Sequence, residues 1–484
     1  MFPDFAAVRA EFALPAEFPP AVLAEAAAAA AGRPGPGPDR VDATDVELVT
    51  IDPPGAKDLD QAVGVVRRGD GFRVHYAIAD LGAVVAPGGA LDTEVRRRGQ
   101  TVYLPDGSVP LHPPVLSEGA ASLLPDGPRP AVLWRIDTDG AGEPTAVDVR
   151  RAVVASRARL DYAGVQAAVD AGRVPPAIAA LPELGPLRRA RAVRRGAIEL
   201  ELPEQEVVPA DGGPAERRGA GREPAGDAPA WTVVVRRRLA VEAWNAEISL
   251  LTGAAAARMM LDAGVGLLRT LPAPEPAAVA ELFAVARALG VDAPAGTTPA
   301  ALLAGLPDDT PAALALRRAA TALLRGAGYT AFDAPLGVPV PADPGHAGLG
   351  SPYAHVTAPL RRLVDRFGTE LCLALAAGTD VPEWVRSALP ALPAVMAASD
   401  HTAAAVGRAC VDRTEAALLA RRVGEEFPAV VLRGGRPDGG PGEVYLQEPA
   451  VLARCTGPLR PGATVRARLV EADPATGRIL FTTS

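Results

Sequence analysis

Between about residue 41 and residue 155, apolar and polar positions alternate in short runs, the period-two pattern of strands with one buried face. The clearest predicted strands are Arg73–Ile78, Thr101–Leu104 and Val132–Ile136, separated by turn residues, and a mostly antiparallel sheet is expected. The pattern then changes period. Residues 156–200 carry apolar positions at helical spacing, and an Ala-rich segment, Pro20–Ala31, predicts a helix near the start. Trp231–Leu239 reads as a strand and Ala240–Ala263 as a long helix, with further helices to Arg325 broken near 272–276 and 293–299. A Pro/Gly-rich loop, Asp333–Gly350, precedes the segment Tyr353–Phe367 and two more helices to about Arg422. The tail, Phe427–Ser484, returns to short strands, with a hairpin signal at Asp473–Gly477, and predicts a small OB-type barrel. The fold class is therefore α+β: a mixed or antiparallel sheet packed with helices, then a C-terminal β-barrel. The expected division is residues 1–39 (short helices and the Gly32–Pro38 linker), 40–424 and 425–484, with 203–230 a mobile insertion because it is rich in Pro, Gly and charge.

Composition narrows the function classes. With 484 residues, several domains are expected, and 49% apolar content supports a large core. The net charge of −8 has the wrong sign for non-specific coating of nucleic acid, so any such binding needs a locally basic lining. Lys57 is the only lysine and Arg supplies the remaining positive charge, a bias that weakens arguments from Arg enrichment. The cluster Arg188, Arg189, Arg191, Arg194 and Arg195 is accordingly read as a solvated helix face, with partner docking as the alternative. Cys372, Cys410 and Cys455 are odd in number and far apart, without a CxxC, which points to reduced thiols and away from zinc. There is no secretory-signal pattern and no apolar run of roughly 18 residues, so a cytoplasmic protein with no membrane span is expected.

The chemistry gathers in Thr50–Val66, TIDPPGAKDLDQAVGVV. Asp52, Asp58 and Asp60 fall within nine positions, and Pro53-Pro54-Gly55 loops the chain out between two apolar runs. Crowded carboxylates raise one another's pKa unless a cation sits among them. Hard oxygen ligands with open positions for water and phosphate suit magnesium. On spacing alone, a solvated turn rich in Asp explains the same residues.

A series of motifs decides between these accounts. TIDPPGAKDLDQA, the block from VHYAIADLG to SEGAASLLP, VEAWNAEISLLTG and YAHVTAPLRRLVDRF occur in the order seen in the ribonuclease II/R (RNB-domain) family of 3′→5′ exoribonucleases, which the chain resembles from about Arg40 to Arg422. The resemblance implies a catalytic core with a central RNA channel and single-stranded RNA as substrate. It also implies Mg2+ as cofactor, with Mn2+ as a substitute. It places Asp52, Asp58 and Asp60 at the metal, joined by Gln61, with Asp60 the position on which cleavage most depends. Arg361 falls beside the scissile phosphate, and Tyr103 at the aromatic position that stacks on the terminal base. Thr357, Arg362 and Arg366 fall along the RNA track, although Arg362 and Arg366 could instead pair with Asp365 and other neighbours. His355 is read as a structural hydrogen-bonder as readily as a functional group.

Three departures from the family pattern stand out. Gln61 occupies the place of a fourth Asp and removes one negative charge. Gly407-Arg408 stands where the family tends to have Glu-Arg. About forty residues precede the core, too few for the cold-shock barrels of better-known members. A monomeric, hydrolytic exoribonuclease releasing nucleoside 5′-monophosphates is the expected function, with an RNB-fold RNA-binding protein of weakened catalysis as the alternative.

Overall fold

The computed structural model describes residues 3–32, 35, 37–200, 204–210, 231–236, 238–307, 310–435 and 440–484. Two helices, α1 (Phe5–Glu11) and α2 (Pro20–Ala31), precede the strands β1 (Val41–Asp42), β2 (Leu48–Asp52), β3 (Gln61–Arg68) and β4 (Gly71–Ala79). Helix α3 (Ala90–Arg98) and the hairpin β5 (Val102–Leu104) and β6 (Gly107–Val109) follow, then β7 (Arg129–Thr138), β8 (Pro144–Val154) and β9 (Ser156–Asp161). Among the described residues these strands form a seven-stranded sheet in the order β1-β8-β7-β4-β3-β2-β9. It is antiparallel through the middle and parallel at both edges, where β1 pairs with β8 and β2 with β9. Tyr76, Phe72 and Trp134 are fully buried on its inner positions, as the alternation predicts.

Residues 156–161, expected to be helical, instead form β9. Their alternating Arg and apolar side chains suit an edge strand, and the parallel register Asp52↔Asp161 brings β9 alongside the acidic stretch. Helices α4 (Tyr162–Asp170) and α5 (Leu181–Arg194) come next. The expected mobile insertion is partly ordered: β10 (Glu204–Pro209) pairs antiparallel with β11 (Trp231–Arg236), while residues 211–230 lie outside the described residues.

The long helix α6 (Ala240–Ala263) ends at Gly264, whose left-handed φ of 71° closes it. Then come β12 (Val265–Thr270), α7 (Pro276–Ala288), α8 (Pro299–Ala304), α9 (Pro311–Ala320), β13 (Gly328–Asp333), and the short pair β14 (Gly345–His346) and β15 (Ser351–Pro352). Helices α10 (Leu363–Ala377), α11 (Glu383–Arg386) and α12 (Leu392–Leu419) complete this part. The tail forms a closed barrel of β16 (Glu426–Arg433), β17 (Gly442–Leu446), β18 (Val451–Thr456), β19 (Thr464–Asp473) and β20 (Arg478–Thr482). Phe427 and Phe481 meet edge-to-face inside it at 5.8 Å, so both aromatics are core rather than surface. Among the described residues, no helix is long and apolar enough to cross a membrane.

Candidate active site

β2 delivers Asp52 at its C-terminal end, and the Pro-Pro-Gly turn, with Gly55 at φ 87°, swings the chain away before β3 begins at Gln61. The returning segment is pinned between its carboxylates. Leu59 is fully buried, its N–H donates to Ser122 Oγ at 3.0 Å, and Ser122 Oγ donates to the Lys57 carbonyl at 2.6 Å. With Leu59 turned inward, period-two geometry sends Asp58 and Asp60 the other way.

Asp60 is 3% exposed. Its Oδ1 accepts from the Leu360 N–H at 2.7 Å, and its Oδ2 lies 3.3 Å from Arg361 Nε. Burial pushes its pKa up to about 8 against the pull of Arg361 and the Leu360 N–H, with Asp365 and Asp58 adding to the rise. Asp52 is raised to about 6, again mainly by burial, with Arg361 lowering it and Asp58 raising it. Asp58 accepts from the Tyr103 hydroxyl at 2.8 Å. Tyr103 itself is 52% exposed, so its ring face is open to a ligand. The structure thus brings Asp52, Asp58, Asp60, Tyr103 and Arg361 into one electrostatic cluster.

The backbone locks this cluster together. Thr101 N–H donates to the Arg361 carbonyl at 2.9 Å, and Leu363 N–H donates to the Gly99 carbonyl at 2.9 Å, so the strand leading to Tyr103 is stitched to the arginine loop. From the opposite side, Gln61 Nε2 donates to the Thr357 carbonyl at 2.6 Å, and Gln61 Oε1 accepts from the Tyr76 hydroxyl at 2.9 Å. Tyr76 is in turn 2.6 Å from Ser249 Oγ on α6.

Several expected roles are revised by these positions. Gln61 has both polar ends committed to protein partners and stands as a strut, not as an open ligand. Thr357 is buried and offers Gln61 its carbonyl, so it holds the loop rather than facing a ligand. Arg362 forms a two-pronged pair with Asp365, with both contacts at 2.8 Å. Arg366 is 2% exposed; it donates to Asp92 at 2.6 Å and to the Val85 carbonyl at 2.8 Å, joining α10 to α3 inside the core. Arg366 is thus held in the core, while Arg362 commits two of its three guanidinium nitrogens to Asp365. His355 Nδ1 meets the Tyr329 hydroxyl at 2.7 Å, and burial holds the imidazole well below its ordinary pKa. Gly407 and Arg408 are exposed on α12.

Four residues in or beside the cluster were not singled out from sequence: Tyr76, Ser249, Tyr162 and Asn245. Tyr162 hydrogen-bonds Asn245 and feels the Asp52 charge. The readable signal was the polar stripe Asn245, Ser249, Thr252 at helical spacing in a helix that is otherwise largely apolar.

A divalent cation needs several oxygen donors converging on one point. Among the described residues, no three His, Cys, Asp or Glu side chains are arranged to hold one by themselves. Asp60, Asp58 and Gln61 each accept one hydrogen bond, from Leu360, Tyr103 and Tyr76, and keep further acceptor capacity. The chemistry still fits magnesium, which typically takes only one or two protein carboxylates and fills its remaining positions with water and substrate phosphate. Carboxylates raised chiefly by burial, with Asp58 adding to each, as Asp52 and Asp60 are, would also gain from a cation.

A family model described as "RNB domain" matches residues 40–370, and one described as "RNase II-type exonuclease C-terminal S1 domain" matches residues 425–484. The chain belongs to the RNB-domain family. Ribonuclease R of Escherichia coli is 32% identical over 342 residues, covering 67% of this chain and 39% of that protein. An Arabidopsis thaliana relative named "Inactive exonuclease DIS3L2" is 32% identical over 210 residues, 37% of this chain and 20% of its own. The match thus spans about two fifths of the Escherichia coli relative and less of the plant one. The fold is that of Mycoplasma genitalium RNase R in its apo form, with a TM-score of 0.83 at 20% identity over 99% of this chain and 77% of that one.

Proposed function

We propose that the protein is a magnesium-dependent hydrolytic exoribonuclease. It degrades single-stranded RNA processively from the 3′ end to nucleoside 5′-monophosphates, as a monomer in the cytoplasm. The observation that carries this reading is the pairing of buried Asp60 with half-exposed Arg361 at 3.3 Å, beside the open ring of Tyr103. In this reading Tyr103 stacks on the terminal base, a contact that accepts any sequence. Arg361 presents its remaining N–H groups to the scissile phosphate and stays charged at any working pH. Asp60 orients the attacking water and Asp52 and Asp58 hold the cation, with Mn2+ able to replace Mg2+. When bound, the cation lowers the pKa of that water and offsets charge on the phosphate. The test is a 5′-labelled RNA with a 3′ overhang, incubated with and without Mg2+ or Mn2+. Wild-type protein should shorten it and Asp60→Asn should not; equal persistence of the RNA with both proteins would overturn the reading.

A second reading, an RNB-fold protein that grips RNA 3′ ends without efficient cleavage, is favoured by one observation. Gln61 stands where the family pattern has an acid, which leaves the carboxylate cluster one negative charge short. RNA binding without product, together with cleavage gained by Gln61→Asp, would support it.

A further inference from the structure

Within the arginine cluster read from sequence as a solvated helix face, Arg194 and Arg195 are exposed but Arg188 is not. Arg188 is 3% exposed and lines a cavity of about 350 Å³ between α5, α6 and the segment ending at Tyr353. α6 separates this cavity from the carboxylate cluster. Asn245 and Ser249 face the cluster, whereas Ala243, Ala246, Glu247, Leu250 and Ala254, at helical spacing on the opposite side, line the cavity.

Two buried groups in it lack partners. Arg188 Nη1 donates to the Gly142 carbonyl at 2.9 Å, but its Nε donates to nothing. Glu247 is 6% exposed and its Oε2 accepts from nothing. The two atoms are 3.8 Å apart, too far for a hydrogen bond. A buried pair held short of contact is costly, and most such groups in folded proteins are satisfied. Burial accordingly raises the Glu247 pKa and lowers that of Arg188.

The charge around them is positive. The lining carries the guanidiniums of Arg188, Arg189, Arg195 and Arg238 against the carboxylates of Glu199 and Glu247, and Glu199 is shared between Arg189 and Arg238 at 3.0 Å each. The remaining wall, including Ile198, Leu250 and Leu349, is apolar. A complementary ligand therefore has an anionic acceptor for the arginines, a hydrogen-bond donor for Glu247 Oε2 and a body that packs against apolar walls. A phosphate monoester on a nucleoside combines all three. The volume is at the lower end of small-molecule sites, about 300–1,000 Å³, which suits one nucleotide rather than two.

We propose that this cavity is a binding site for a nucleoside 5′-monophosphate, separate from the cleft of Asp60 and Arg361. Its floor is mechanically continuous with that cleft. Tyr353 lines the cavity, Ala354 N–H donates to the Gly253 carbonyl of α6 at 3.0 Å, and three residues later the Thr357 carbonyl is held by Gln61. A Cβ on Gly253 would lie 2.1 Å from the Tyr353 ring, so α6 and the segment at Tyr353 have no slack between them.

The test is isothermal titration of the full chain with adenosine 5′-monophosphate in EDTA, with inorganic phosphate and adenosine as separate probes. One saturable site is expected for the nucleotide, with each fragment at least tenfold weaker. Arg238→Ala, at the solvent-facing rim, and Glu247→Leu, which removes the acceptor at similar size, should each weaken binding about tenfold or more. Tyr103→Ala, altered only in the cleft, should leave it unchanged. The proposal is overturned if no saturable binding occurs, if binding survives both cavity variants, or if it disappears with Tyr103→Ala.

Discussion

Gln61 donates to the Thr357 carbonyl at 2.6 Å across 296 positions of sequence, and this single amide ties the acidic strand to the arginine loop. A glutamate there keeps the length but, when ionised, has no N–H to give and sets oxygen against oxygen. Gln61→Glu should destabilise the fold by about 1–3 kcal/mol at pH 8, the usual range for a buried group left unpaired. The loss should shrink at pH 5, where a protonated carboxyl can donate again. Urea unfolding at the two pH values measures it. Gln61→Asp, too short for the Thr357 carbonyl, should not raise cleavage; a gain would refute the strut.

Arg361 contacts Asp60 through Nε while its side chain stays half exposed. Arg361→Ala should therefore cost about 2.7–4 kcal/mol of transition-state stabilisation, roughly 10²–10³ in rate, as for other single-donor deletions. Single-turnover cleavage of a saturating RNA isolates this step. A rate within threefold of wild type would remove Arg361 from the chemistry.

Tyr103 has two separable contacts, its open ring face and its hydroxyl bond to Asp58. Tyr103→Phe keeps the first and should leave RNA 3′-end affinity nearly unchanged. Tyr103→Ala loses both and should weaken it by about 1–3 kcal/mol. Competition between RNAs with free and blocked 3′ ends distinguishes end binding from general attachment.

Glu415, on α12, is 1% exposed and accepts from the Leu452 N–H of the barrel at 3.1 Å and from Gln205 of β10. Burial is the largest cause of its pKa rising from 4.5 to about 8, partly offset by those two hydrogen bonds. The folded state therefore binds this proton more tightly than the unfolded chain. The stability it contributes is fully present below about 4.5 and lost as pH rises through about 8. Glu415→Gln retains the acceptor oxygen and should flatten this slope, making the variant more stable than wild type at pH 9 but not at pH 4. Melting curves across that range test the sign.

Where the chain's own periodicity sets the structure, the sequence was legible. α6 spans Ala240–Ala263 as its spacing predicts, and β4 and β7 extend the alternating runs by one to three residues at each end. What depends on remote partners was hidden. Ser156–Asp161 is a strand only because β2 lies beside it, and Glu204–Pro209 was obscured by the polar, Pro-rich stretch around it. Within the site, the Arg362–Asp365 pair was readable at three-residue spacing. Arg366–Asp92, 274 residues apart, was not, and it turned an apparent RNA contact into core.

The two backbone bonds joining Thr101 and Gly99 to the arginine loop have one more consequence. They fix the main-chain interval between Tyr103 and Arg361, and each side chain is then steadied by its own carboxylate, Asp58 and Asp60. If that ring seats the last base while the guanidinium marks the bond to be cut, the protein carries a built-in ruler whose base length is set by main-chain hydrogen bonds.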